Sequence, residues 1–175
     1  MAYFDNAATT YPKPDRVYSF MDAFYRKCGG NVGRGDYGIA KSAGALVADT
    51  RTHLQELLHC PAKQVVFTPT ATIALNIILQ GLCMMGMKNF YISPFEHNAV
   101  TRTLHHFENT GEINVTQLAV TSDFRYDLEK IRYQFDDCKP DVVVVSHASN
   151  VIGLIAPAAE IFELAKKYGS YTVLD

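Results

Sequence analysis

Residues 141–146 read Asp-Val-Val-Val-Val-Ser, and the four valines in a row decide the fold. β-Branched side chains favour extended backbone, and a run without polar alternation has no face to offer water. Such a strand is buried on both faces, which points to a parallel sheet covered by helices. Working outward, residues 64–68 (QVVFT), 90–93, 113–120 and 171–175 (YTVLD) read as further strands. Helical periodicity alternates with them over residues 71–85, 97–109, 127–135 and 157–168, the last with Pro157 suited to a first turn. Two more helices are expected upstream. One covers residues 13–27, with Val17, Phe20, Met21, Phe24 and Tyr25 at helical spacing; the other carries Leu46, Val47, Leu54, Leu57 and Leu58 as its apolar stripe. Repeated strand–helix alternation predicts an α/β architecture, a mainly parallel sheet with helices on both faces. The first twelve residues show no periodicity and read as an arm, with residues 13–175 as the domain.

Composition narrows the function classes. Hydrophobic residues make up 48% of the 175, charged residues 19%, and the formal net charge is −2. A core of useful size is therefore available, and nothing electrostatic favours nucleic acid or an anionic membrane as a partner. No run reaches the roughly 20 apolar residues of a membrane helix, and the start MAYFDNAATT lacks the pattern of a secretory signal. The scattered cysteines Cys28, Cys60, Cys83 and Cys138 form no C-x-x-C pair and read as reduced thiols of a cytoplasmic protein.

In a parallel α/β sheet, ligands bind at the carboxyl ends of the strands, and polar residues collect there. Thr68-Pro69-Thr70-Ala71-Thr72 runs straight into a helix, where free amides and the helix dipole suit an anion. Thr70 also suits an ordinary N-cap. The next strand ends in Ser93-Pro94-Phe95-Glu96-His97-Asn98, and the valine strand in Ser146-His147-Ala148-Ser149-Asn150. Asp175 closes the last strand, where a carboxylate needs a cationic partner. Each feature has an ordinary structural use, as cap or turn. Their recurrence after successive strands points to a site.

Taken in order, YFDNAATTYPKP, GNVGRGDYG, VVFTPTATIALN, SPFEHNAV, SHASNVIGLIAP and YTVLD resemble the cysteine desulfurases of the class V aminotransferases, across essentially the whole chain. The resemblance implies the large domain of a pyridoxal 5'-phosphate enzyme that removes sulfur from cysteine, leaving alanine and an enzyme persulfide. It implies that Ala71 and Thr72 hold the cofactor phosphate and that His97 lies against the ring and helps move a proton. Asn150 is assigned to the ring oxygen and the substrate, Asp175 to the ring nitrogen, and Ala8 and Thr9 to the substrate. A homodimer is implied for the intact enzyme. Two positions depart from the family pattern: Thr70 stands where glycine is usual, and Ile73 where an acid is usual. The resemblance further implies that the sequence stops before the lysine that bonds the cofactor and before the small domain with its nucleophilic cysteine. None of the nine lysines here takes that place. Residues 1–175 alone are accordingly expected to be inactive. Another class V activity, a selenocysteine lyase, or a non-catalytic scaffold of the same fold are the alternatives.

Gly33-Arg34-Gly35-Asp36-Tyr37-Gly38 spells the letters of a dinucleotide fingerprint. That fingerprint needs a preceding strand, and a helical pattern stands there instead. His105-His106 reads as solvated surface rather than a metal site.

Overall fold

A computed structural model describes residues 2–175, which divide into two compact units, one running to Phe67 and the other Thr68–Asp175. In the first, helix α1 (Asp15–Cys28) and helix α2 (Gly38–Leu57) are joined by a glycine-rich loop. Gly33 and Gly35 adopt positive φ in that loop, a conformation other residues resist. The apolar residues of α1 recur at helical spacing as expected, yet none is buried; Phe20 and Phe24 stack at 6.0 Å, and both border a cleft shared with Ala43, Leu46 and Val47. The stripe expected on α2 is corrected. Ala40 and Ala43 are its buried residues, while Leu57 and Leu58 are exposed, because the helix ends at Leu57 and its buried face lies near the start.

Residues 64–68 are not a strand, contrary to their β-rich sequence. Extended backbone becomes a strand only when a neighbour supplies the ladder, and none does here. Side chains of α2 serve the segment instead. Arg51 Nε donates to the Val65 carbonyl at 3.1 Å, the Arg51 guanidinium lies 5.5 Å from the Phe67 ring centre, and Val66 is exposed.

The second unit follows the valine strand. Its elements are α3 (Ala71–Met84), β1 (Asn89–Ile92), α4 (Asn98–Asn109), β2 (Asn114–Gln117), α5 (Leu128–Asp137), β3 (Val142–Val145), α6 (Ala158–Lys167) and β4 (Tyr171–Leu174). The four strands form one parallel sheet in the order β2-β1-β3-β4. All four valines of β3 are fully buried. Val142 and Val144 pack with Leu75 and Leu79 of α3 and Val100 and Leu104 of α4; Val143 and Val145 pack with Ile131 and Phe135 of α5 and Ile161 and Ala165 of α6. Side chains alternate across a strand, so an unbroken apolar run feeds two separate cores. The sheet is thus covered on both faces, as the sequence predicts.

Two boundaries differ from expectation. The strand over 113–120 is shorter, because the chain turns after Leu118 and closes a small loop by a Val120–Tyr126 bridge, with Phe124 at φ 64°. Pro157 sits at the N-cap of α6 rather than inside its first turn. Among the described residues, no helix is long and apolar enough to cross a membrane.

Candidate functional site

In a parallel sheet with helical crossovers, every strand leads out at the same edge and every following helix starts there. At that edge α3 begins with Thr70 as N-cap in extended backbone, its Oγ1 accepting the Ile73 amide at 3.2 Å. The first amides of a helix have no partner within it. Thr70 satisfies the third, while among the described residues the Ala71 and Thr72 amides donate to nothing. Thr70 therefore withdraws one donor from this helix end and leaves two. The positive helix end and two free N–H groups suit a phosphate.

Thr72 and His97 line one cleft of about 630 Å³ between α3 and α4, together with Asn76, Gln80, Arg102 and His106. His97 is the N-cap of α4: its Nδ1 accepts the Ala99 amide at 3.1 Å, so the neutral ring carries its proton on Nε2. The cap and a role at the site are compatible, because the cap uses only one ring nitrogen.

Asp175 and Asn150 belong to the neighbouring exits. The Asp175 amide donates to Val145 O at 3.1 Å and its carbonyl accepts from the His147 amide at 2.8 Å, which ties the end of β4 to the loop after β3. Its side-chain carboxylate accepts no hydrogen bond among the described residues. Asn150 is exposed in the same loop, which is closed by an Ala148–Ile155 bridge and by Ser149 Oγ accepting from Val151 N at 3.3 Å. The structure thus brings Thr72 together with His97, and links Asp175 with the 146–150 loop; Asn150 makes no hydrogen bond to the other three. Ala8 and Thr9 lie in the first unit, in a turn where both amides donate to Asp5 O at 3.1 and 3.3 Å.

The sequence reading left Glu96 without a role. Its Oε1 accepts the Ser146 amide at 2.5 Å and its Oε2 the Ser146 hydroxyl at 2.8 Å. Burial pushes the Glu96 carboxyl up from its ordinary value, and the Asp175 carboxylate facing it adds to the rise; the two Ser146 bonds oppose it. Just beneath, the Ser93 hydroxyl accepts the Phe95 amide at 3.1 Å and shares a 2.7 Å bond with Tyr126 Oη. A carboxylate four residues past one strand and a serine at the end of another were the available signals. Pairing them required knowing that β1 and β3 are neighbours.

The chain matches the family described as aminotransferase class-V over residues 2–175. It is 28% identical over 180 residues to a protein of Haloferax volcanii named cysteine desulfurase, covering all of this chain and 42% of that relative. A solved structure titled NifS-like protein superposes with a TM-score of 0.89 at 27% identity, over 99% of this chain and 48% of its own. The apo cysteine desulfurase of Thermococcus onnurineus has the same fold, with a TM-score of 0.89 at 24% identity over 99% and 43% of the two chains. The chain therefore spans less than half the length of these proteins.

Proposed function

The chain belongs to the class V aminotransferase family, and from that premise we propose that it forms the cofactor-binding wall of a pyridoxal 5'-phosphate enzyme acting on cysteine. One observation carries the reading: two unpartnered amides, Ala71 and Thr72, begin a helix at the point where Thr72 lines the cleft that His97 also lines. The residues present fit the group. A phosphate takes the two amides and the Thr72 hydroxyl. The unpaired Asp175 carboxylate suits a protonated ring nitrogen, and Asn150 offers an amide donor to the ring oxygen. When bound, the cofactor supplies an electron-withdrawing ring that stabilises negative charge on the amino acid.

The rest is the work of this chain's own side chains. Asp175 keeps the proton on the ring nitrogen through charge pairing. His97, with Nδ1 held by the Ala99 amide, presents Nε2 as the atom that gives or takes a proton. Removing sulfur breaks the Cβ–S bond of cysteine. The sulfur joins a protein thiolate as a persulfide, while Cβ keeps the electron pair of the broken bond and takes up a proton to become the methyl of alanine, so atoms and electrons balance without an external oxidant. That thiolate is not assigned to Cys83 or Cys138. Both lie near the C-terminal ends of α3 and α5, helices that start at the site edge and run away from it.

As support for a homodimeric, cytoplasmic enzyme there are the free cysteines and the outer face of α3, where Ile73, Ile77 and Ile78 remain exposed. The test is product analysis of the full-length protein with cysteine. Alanine formed in step with protein persulfide is expected; cysteine consumed without alanine would contradict the desulfurase assignment.

A further inference from the structure

Beneath the exposed groups of the site lies a bond pair that no role above explains. β1 and β3 are adjacent, with Ile92 opposite Val144, and the Ser93 amide extends their ladder to Val144 O at 3.0 Å. Beyond that point the two chains leave the sheet as separate loops. One ends in His97 and the start of α4; the other carries His147 through Asn150. Left alone, two such loops would fluctuate independently. Glu96 joins them, gripping both the amide and the hydroxyl of Ser146, the last buried residue before the second loop.

We infer that Glu96 is a positioning residue of the cofactor site: by clamping Ser146 it holds His97 and the 147–150 loop in one arrangement. The inference rests on the cofactor assignment proposed above. Glu96 itself is not among the residues assigned to the ring or the phosphate. It acts through the next residue along its own chain and through the serine that opens the neighbouring loop. Its charge is felt by Asp175 at the end of β4 and by Tyr126, whose phenol burial and the Glu96 charge both push up, while the Ser93 hydroxyl helps to hold the carboxylate. Glu96 therefore also adds negative charge beside the carboxylate assigned to the ring nitrogen. A glutamine keeps one oxygen for the Ser146 amide and offers its NH₂ to the hydroxyl, so it separates clamp from charge.

The experiment is titration of the full-length protein, stripped of cofactor, with pyridoxal 5'-phosphate. The readouts are the dissociation constant, the induced circular dichroism of the bound chromophore, and the melting temperature of the stripped form. Glu96→Ala removes two hydrogen bonds to a carboxylate that hold the loops together, so it is expected to weaken binding about tenfold or more. It should also flatten the induced signal, with the stripped protein melting within about 5 °C of wild type. Glu96→Gln should recover affinity to within about threefold. Should Glu96→Ala not fold, Ser146→Ala removes one of the two bonds and is expected to weaken binding about threefold to tenfold. Wild-type affinity and ellipticity in Glu96→Ala (or in Ser146→Ala) would overturn the inference alone, as would equal losses in the glutamine and alanine variants. Failure of the wild type to bind would overturn the cofactor assignment, and this inference with it.

Discussion

The two ends of the same sheet are each braced by one carboxylate, and the braces mirror each other. At the amino end Asp141, just before β3, accepts the amides of Lys88, just before β1, and Asn89, its first residue, both at 2.9 Å. At the carboxyl end Glu96, beyond β1, holds Ser146 beyond β3. Their surroundings differ. Around Asp141 the polar groups satisfy one another: Asn89 Nδ2 donates to Lys139 O at 3.2 Å, Ser170 Oγ to Pro140 O at 2.7 Å, and Tyr91 Oη to Cys138 O at 2.8 Å. Burial first, with Cys138 and Asp137 nearby, pushes the Tyr91 phenol up to about 12, so it stays a donor. Around Glu96 the Ala71 and Thr72 amides and the Asp175 carboxylate find no partner among the described residues. One end is closed upon itself; the other keeps hydrogen-bonding capacity for something else. Local satisfaction, rather than the presence of polar residues, separates a structural end from a binding end.

The sharpest way to break this comparison is Asp141→Ala. It strands two backbone amides at the junction of β1 and β3, where the Asp141 carbonyl also takes the Tyr171 amide, so a loss of about 2–3 kcal/mol in urea unfolding is expected. Cofactor affinity of the folded fraction should stay within about twofold, since no contact group moves. Affinity lost together with stability would make the two ends one functional unit and dissolve the contrast.

A smaller effect of opposite kind is expected at Thr72. Thr72→Ala keeps the amide but deletes the hydroxyl, so affinity for pyridoxal 5'-phosphate should drop by about 1 kcal/mol while affinity for pyridoxal, which lacks the phosphate, is unchanged. Isothermal titration with both ligands checks it. Parallel losses would place the hydroxyl away from the phosphate.

The smallest expected effect is in pH dependence. Burial raises the folded-state value of Glu96 above its ordinary 4.5, so the folded chain binds that proton more tightly than the unfolded one. The stabilisation is complete below the ordinary value and is lost as pH rises through the folded one. Compared with Glu96→Gln, the wild type should therefore lose stability as pH rises from the ordinary value of 4.5 upward. Urea unfolding at a series of pH values upward from about 4 is the measurement, and parallel curves for the two proteins would show that Glu96 is no more protonated in the folded chain than in water.

The sequence carried the architecture further than the site. Four valines in a row and alternating periodicities announced a two-faced parallel sheet, because burial on both sides is written into consecutive residues. Residues 64–68 misled for the opposite reason: strand identity depends on a pairing partner, and β-propensity is blind to whether one exists. The placement of Ala71, Thr72 and His97 was legible because each sits at the junction of a helix with the segment before it, a local event. Glu96 was not, because its partner lies 50 residues away on β3. The chain visits β1, then edge strand β2, and only then β3 between them and β4, so no local pattern reveals that β1 and β3 touch. The αL conformation of Phe124 was equally hidden, since a bulky aromatic gives no hint of positive φ.

The central claim, that the carboxyl end of the sheet is the open end, is tested most directly by amide NMR of the cofactor-free protein during addition of pyridoxal 5'-phosphate. The largest shifts are expected at Ala71 and Thr72, with smaller ones through residues 146–150 and at His97, and none at Lys88, Asn89 or Asp141. Shifts confined to the amino end, or a silent Ala71 and Thr72 at saturating ligand, would contradict it.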